Sequence, residues 1–143
     1  MKEKCAGKKH DDFEIRFYER LVEHSPDFVE ALMALGDLYT KAGRHEEGLE
    51  IDKRLTRICP ENSLVLYNLA CSYALLKDTE KSFEAVKRAI SLGYDDIDFL
   101  CEDEDLKNLR KDKRFEGYFS SLWKDAQKKR PRRKPLPRIF RDE

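Results

Sequence analysis

The stretch LMALGDLY, Leu32 to Tyr39, returns 34 residues later as LYNLACSY, Leu66 to Tyr73. Two leucines, a small residue (Gly36, then Ala70) and a tyrosine keep the same four places in both copies. Steps of three and four residues put these side chains on one face of a helix. The match runs on into a second segment, where Leu49 pairs with Phe83, Leu55 with Ala89, Ile58 with Leu92, and Lys53-Arg54 with Lys87-Arg88. A unit this short cannot bury its own apolar face, so consecutive copies must stack to make a continuous core. The expected architecture is all-α, a right-handed solenoid of helical hairpins built to hold something.

Working outward, residues 11–24 place Phe13, Phe17 and Leu21, and also Ile15, Tyr18 and Val22, at helical spacing before Ser25-Pro26. Stepping back one period aligns Ile15 with Leu49, Leu21 with Leu55 and Pro26 with Pro60. This segment is therefore the second half of an earlier unit and is expected to cap the N-terminal end. The first full unit is predicted as a helix over 27–42 with Asp27 or Ser25 as its cap, a reversal at Gly43, and a helix over 44–58. The second begins at Asn62 or Ser63, turns near Lys77-Asp78 with Asp78 as a cap, and runs on from Thr79 to Leu92.

After Gly93 the period weakens. Leu100 keeps the register of Leu66, but Asp103 stands where Leu69 did. A short helix over 104–110 and an amphipathic one over 112–127 are predicted, the latter with Phe115, Tyr118, Phe119, Leu122 and Trp123 in one stripe. That stripe reads as the C-terminal cap on the preceding helix pair. The chain thus divides into a disordered basic N-terminus (1–10), a helical repeat domain (11–123) and a disordered basic tail (124–143), the tail rich in proline and arginine.

The 143 residues suit one domain, with a hydrophobic fraction of 40% and a charged fraction of 41%. No run approaches the ~20 apolar residues of a membrane span, and MKEKCAGKKH lacks the apolar core of a secretory signal, so a cytoplasmic place and no membrane partner are expected. The net charge of zero hides an asymmetry. Residues 11–123 carry 16 Lys and Arg against 25 Asp and Glu, while 124–143 carry nine basic and three acidic residues. Cys5, Cys59, Cys71 and Cys101 have no metal-ligand or redox spacing and read as free thiols in a reducing compartment.

These residues resemble the tetratricopeptide repeat, in the form of a small bacterial-type domain with terminal capping helices. Leu32, Leu35, Gly36, Tyr39, Gly48 and Pro60 fit its pattern in the first copy, with Asp52 in a place usually aromatic. Leu66, Leu69, Ala70, Tyr73, Ser82 and Ala89 fit in the second, where Val86 takes the aromatic place and Tyr94 replaces Pro. The segment after Gly93 is similar to an ending found in many small bacterial members. The resemblance implies two full repeats, a half repeat at the N-terminus and capping helices at the C-terminus, together with a protein-binding role.

It also implies that the first helix of each pair lines a concave groove. Asp37, Tyr67, Asn68 and Cys71 are then groove residues, continued by Asp98, Cys101, Glu102 and Asp105. Asn68 stands where chaperone-binding members grip a peptide carboxylate, but the Lys and Arg partners of that clamp are missing. Carboxylates at Asp37, Asp98 and Glu102 disfavour an acidic tail and favour a basic or apolar-basic segment, with Tyr67 offering an aromatic face to Arg or Lys. The alternative is that these are solvated residues on a highly charged solenoid.

The basic tail carries three readings: a site for nucleic acid or another polyanion through Arg130, Arg132, Arg133 and Lys134, a segment that folds onto the acidic body, or a solubilising appendage. Catalysis is not indicated. His10, His24 and His45 are dispersed, no glycine-rich phosphate loop occurs, and the Glu102–Asp105 run lacks the ligand alternation of a calcium loop. Two functions follow: a protein-interaction module without cofactor or metal, or a polyanion- or RNA-associated accessory protein acting through its tail.

Overall fold

The computed structural model describes the backbone over residues 2–129, with side chains from Asp12 onward. The tail residues 130–143, with the basic cluster read there, lie outside the described residues. Eight α-helices and a 3-10 turn follow one another, with no strand among the described residues. None of the helices is long and apolar enough to cross a membrane. Helix α1 (Lys2–His24) packs on α2 (Val29–Lys41), which pairs with α3 (His45–Ile58). The second pair, α4 (Ser63–Leu75) and α5 (Thr79–Ser91), stacks on the first through α3 and α4. A shortened ending follows: α6 (Ile97–Glu102), a 3-10 turn at Glu104–Leu106, α7 (Lys107–Lys111) and α8 (Glu116–Lys128).

The two hairpins occupy the places the period assigns to them. Leu32, Leu35 and Tyr39 are buried on α2, and Leu66, Leu69 and Ala70 on α4. Small residues set the approach of α2 to α3. A Cβ added at Gly36 would sit 3.3 Å from Ile51 Cγ2 and 3.4 Å from Asp52 Oδ1. In the second pair Ala70 and Ser82 take these places, and the buried Ser82 hydroxyl donates to the Ala70 carbonyl at 2.7 Å. The recurring basic residue also gains a reason. Arg54 donates to the Pro26 carbonyl at 2.8 Å and Arg88 to the Pro60 carbonyl at 3.2 Å, each fastening a second helix to the turn before its own unit.

Helix ends depart from expectation in two places. Neither Asp27 nor Ser25 caps α2 with its side chain: the cap residue is Phe28, whose N–H donates to the Ser25 carbonyl at 3.1 Å. At the other end of the chain, α1 begins at Lys2, so its backbone takes in most of the decapeptide expected to be disordered. The remaining caps follow the sequence. Asn62 accepts from the Leu64 and Val65 N–H groups, and Asp78 accepts from that of Lys81.

The aromatic stripe of α8 packs as a cap. Phe119 and Trp123 are buried, and Phe115 stacks on Phe83 of α5 with ring centroids 4.1 Å apart. α8 reaches Lys128, five residues beyond the boundary placed at 123.

Both hairpins reverse through a left-handed residue, Gly43 at φ +78° and Lys77 at φ +64°. Only the first is the residue type that adopts this region without steric cost. A Cβ at Gly43 would meet nothing, so backbone conformation alone decides the substitution there. Gly43→Ala should lose about 1 kcal/mol of stability, and Lys77→Gly should gain up to about 1 kcal/mol, both read as midpoint shifts in urea denaturation.

Candidate partner-binding groove

The first helices of the two pairs and the shortened ending surround one cavity of about 230 Å³. Met33, Gly36, Asp37 and Thr40 of α2 form one wall, and Asn68, Cys71 and Ser72 of α4 the floor beside Tyr67. Phe99 of α6 and the carboxylates Asp103 and Asp105 close the far side, and Asp52 of α3 reaches in from below. No Lys, Arg or His is among these lining residues.

Five of the eight expected groove residues come together here: Asp37, Tyr67, Asn68, Cys71 and Asp105. Asp98, Cys101 and Glu102 do not. Asp98 lies beside Gln127 of α8, whose side-chain nitrogen is 3.4 Å from its carboxylate, and Glu102 is exposed away from the cavity. One period separates Val65, fully buried, from Phe99, which is half exposed and lines the groove. Cys101, expected on the groove side, is fully buried. Asp96 starts α6 by accepting from the Phe99 N–H, and Asp103 ends it after six residues, so little of the regular register survives.

Tyr67 has a different role from the one expected. It is only 3% exposed, its ring stacks on Tyr94 at 4.4 Å and 3°, and its hydroxyl donates to Asp103 Oδ2. Tyr94 replaces the usual Pro, and this stack is what the replacement supplies. Burial first, then the neighbouring Cys71 and Asp103, hold the Tyr67 hydroxyl far above its ordinary pKa, so it remains a donor. The aromatic surface open to a ligand is Phe99, whose ring lies 6.1 Å from that of Tyr67.

Sequence reasoning places Asp105 on the groove and passes over Asp103; the cavity is lined by both. Asp103 is held by the Tyr67 hydroxyl and the Asp105 N–H at 2.9 Å, and its carbonyl accepts from the buried Arg110. Arg110 also donates to the Leu100 carbonyl at 3.0 Å and so holds the last turn of α6 together with the start of the loop. Burial, and then the charge of Asp103, push the Asp105 carboxyl upward. Asp37, at the rim, pairs with Lys41 at 2.9 Å. The usable signal is the replacement of Leu69 by Asp103 within the repeat.

The ligating atoms of Cys71, Asp103 and Asp105 lie within 4.8 Å of one another. Burial and the two carboxylates raise the Cys71 thiol well above its ordinary value, so without an ion it stays protonated. Asp103 meanwhile already accepts from Tyr67, Asp105 and, at 3.8 Å, the Cys71 sulfur. The trio is a hydrogen-bonded network under the groove.

Asp52, in the usual aromatic place, is buried and accepts from the Ser72 hydroxyl across the α3–α4 interface. Burial pushes its carboxyl from 3.8 up to about 6, and the Ser72 bond pulls it partway back. The folded state therefore holds this proton more tightly than the unfolded chain, and stability falls as pH rises between these two values. Asp52→Asn keeps an acceptor for Ser72 and removes the penalty. It should add about 2 kcal/mol at pH 7.5 and almost nothing at pH 4, measured by urea denaturation at both pH values.

Residues 29–62 and 64–93 each match the tetratricopeptide repeat family. A chloroplastic protein of Arabidopsis thaliana is 32% identical over 101 residues, 68% of this chain and 29% of that protein. The CTR9 homologue of the same plant is 33% identical over 75 residues, 52% of this chain and 7% of that protein. The chain thus spans less than a third of these relatives. Among solved structures, MamA superposes with a TM-score of 0.72 at 20% identity, covering 90% of this chain and 73% of that one. A MamA fragment from Desulfovibrio magneticus RS-1 gives 0.71 at 15%, covering 86% and 68%. With two matched repeats stacked in a solenoid of the same fold, residues 29–93 are two tetratricopeptide repeats, which supports a scaffold of the protein-interaction kind.

Proposed function

We propose that the chain captures a basic or apolar-basic segment of a partner protein in the groove between α2, α4 and the 103–105 loop. The observation that carries this reading is the lining itself: Asp37, Asp103 and Asp105 share one cavity with the half-exposed Phe99, with no cation among the lining residues. A peptide carboxylate brought there would be desolvated beside like charges. An Arg or Lys side chain gains carboxylate partners and an aromatic face for its stem or charge. Asn68, half-buried on the floor, offers an amide for the peptide backbone. Binding by this route involves no covalent step and no cofactor. A reducing compartment such as the cytoplasm suits the free thiols of Cys59, Cys71 and Cys101.

The test uses a fluorescent peptide of alternating Arg and Leu, and its Glu-Leu counterpart, titrated into the full chain. The basic peptide should bind, weaken as salt rises, and lose about tenfold in affinity with Asp37→Lys or with Phe99→Ala. Both positions are exposed, which leaves the fold intact. Equal binding of the Glu-Leu peptide would sink the proposal, as would indifference to both substitutions.

A further inference from the structure

Helix α1 has two apolar faces, and among the described residues only one is packed. Ile15 and Val22 are buried against α2. On the other side Phe13 and Phe17 are 66% and 55% exposed, and together with Leu21 they line a shallow cleft of about 490 Å³ with Arg16, Arg20 and His24. The spacing of these six residues, 13, 16, 17, 20, 21 and 24, is a single helical stripe.

The repeat says what this stripe is for. One period later, Phe17 and Leu21 become Ile51 and Leu55, which are buried in the cluster that α3 shares with α2, Ile51 resting on Gly36. The exposed face of α1 is therefore the face that a second helix turns toward the first helix of its own pair. Among the described residues no preceding helix fills that place. Both full hairpins reverse at Gly43 and Lys77, and one period before Gly43 stands Lys9, which lies inside α1. α1 runs straight through the place where the turn would be. Arg20, whose counterparts Arg54 and Arg88 each bind a preceding-turn carbonyl, has no corresponding turn to reach.

We propose that this face docks a helix of a partner protein, laid where a first repeat helix would lie, with an apolar stripe on Phe13, Phe17 and Leu21 and carboxylates facing Arg16, Arg20 and His24. The charge of the cleft selects the occupant. Every ionisable group lining it is basic, so an acidic-flanked helix gains at its edges where a basic one is repelled. Two copies of this chain meeting face to face would bring these basic side chains together, which disfavours self-association through the stripe. Phe17, larger than the Ile51 whose place it takes, holds the occupant farther out than α2 sits on α3. The face is chemically opposite to the acidic groove, and its occupancy does not depend on the groove reading.

The experiment titrates the full chain with two designed helical peptides that share a Leu/Ala stripe, one flanked by Glu and one by Lys. The Glu-flanked peptide should bind about tenfold tighter than the Lys-flanked one, lose about tenfold with Phe17→Ala, and keep its affinity in the groove variant Asp37→Lys. The double variant Arg16→Glu, Arg20→Glu should invert the preference between the peptides. Equal binding of the two peptides, or indifference to Phe17→Ala, overturns the proposal. A dimer in sedimentation equilibrium that dissociates with Phe17→Ala assigns the face to a second copy and overturns it. Phe17-dependent retention on phosphatidylserine vesicles assigns it to a membrane surface and overturns it likewise.

Discussion

The contact between α3 and α4 is what makes one body of two hairpins. Neither pair encloses enough apolar surface by itself, and the two cores exchange residues across this interface. Val65 of α4 is buried in the cluster formed by α1, α2 and α3, while Leu49 of α3 packs against the cluster of α4 to α8. Stability in such an array is close to a sum of unit and interface terms, so losing this interface separates two marginal halves. At its centre lies the hydrogen bond from Ser72 to Asp52. It replaces the usual aromatic contact with a polar one, at a desolvation cost that the hydroxyl offsets only in part.

The ending shapes the groove. A third full unit would have continued the concave surface as a regular row of helices. Instead, Tyr94 folds over Tyr67, α6 stops after six residues, and Arg110 gathers the carbonyls of Leu100 and Asp103. The loop thus anchored turns two carboxylates back over α4. The cavity is closed at one end by this loop and by Phe99, which makes it a local pocket instead of an open channel.

The two surfaces have opposite chemistry. Carboxylates and one exposed ring line the groove, whereas arginines and exposed phenylalanines line the outer face of α1. A chain with a formal net charge of zero can in this way offer two separate electrostatic addresses. A solenoid suits this division, since its inner and outer faces are set by different residues of the same helices.

Repeat period, hairpin boundaries and most of the apolar core are legible in the chain, because they depend on side-chain spacing along single helices. Leu32, Leu35, Leu66 and Leu69 announce a buried face in any helical context, and Asn62 and Asp78 announce helix starts by chemistry that acts within one turn. The groove is half legible. Asp37, Asn68 and Cys71 stand on regular helices whose register the period carries. Tyr67 is found the same way but reads as a surface residue, because its partners Tyr94 and Asp103 are 27 and 36 residues away. Spacing finds Asp105 but misplaces Asp98, Cys101 and Glu102 and misses Asp103, because helical register does not carry through the short α6 and the break at Asp103. There the direction of each side chain is set by long-range contacts, the Tyr67–Tyr94 stack and the Arg110 hydrogen bonds, and only the folded chain brings those together.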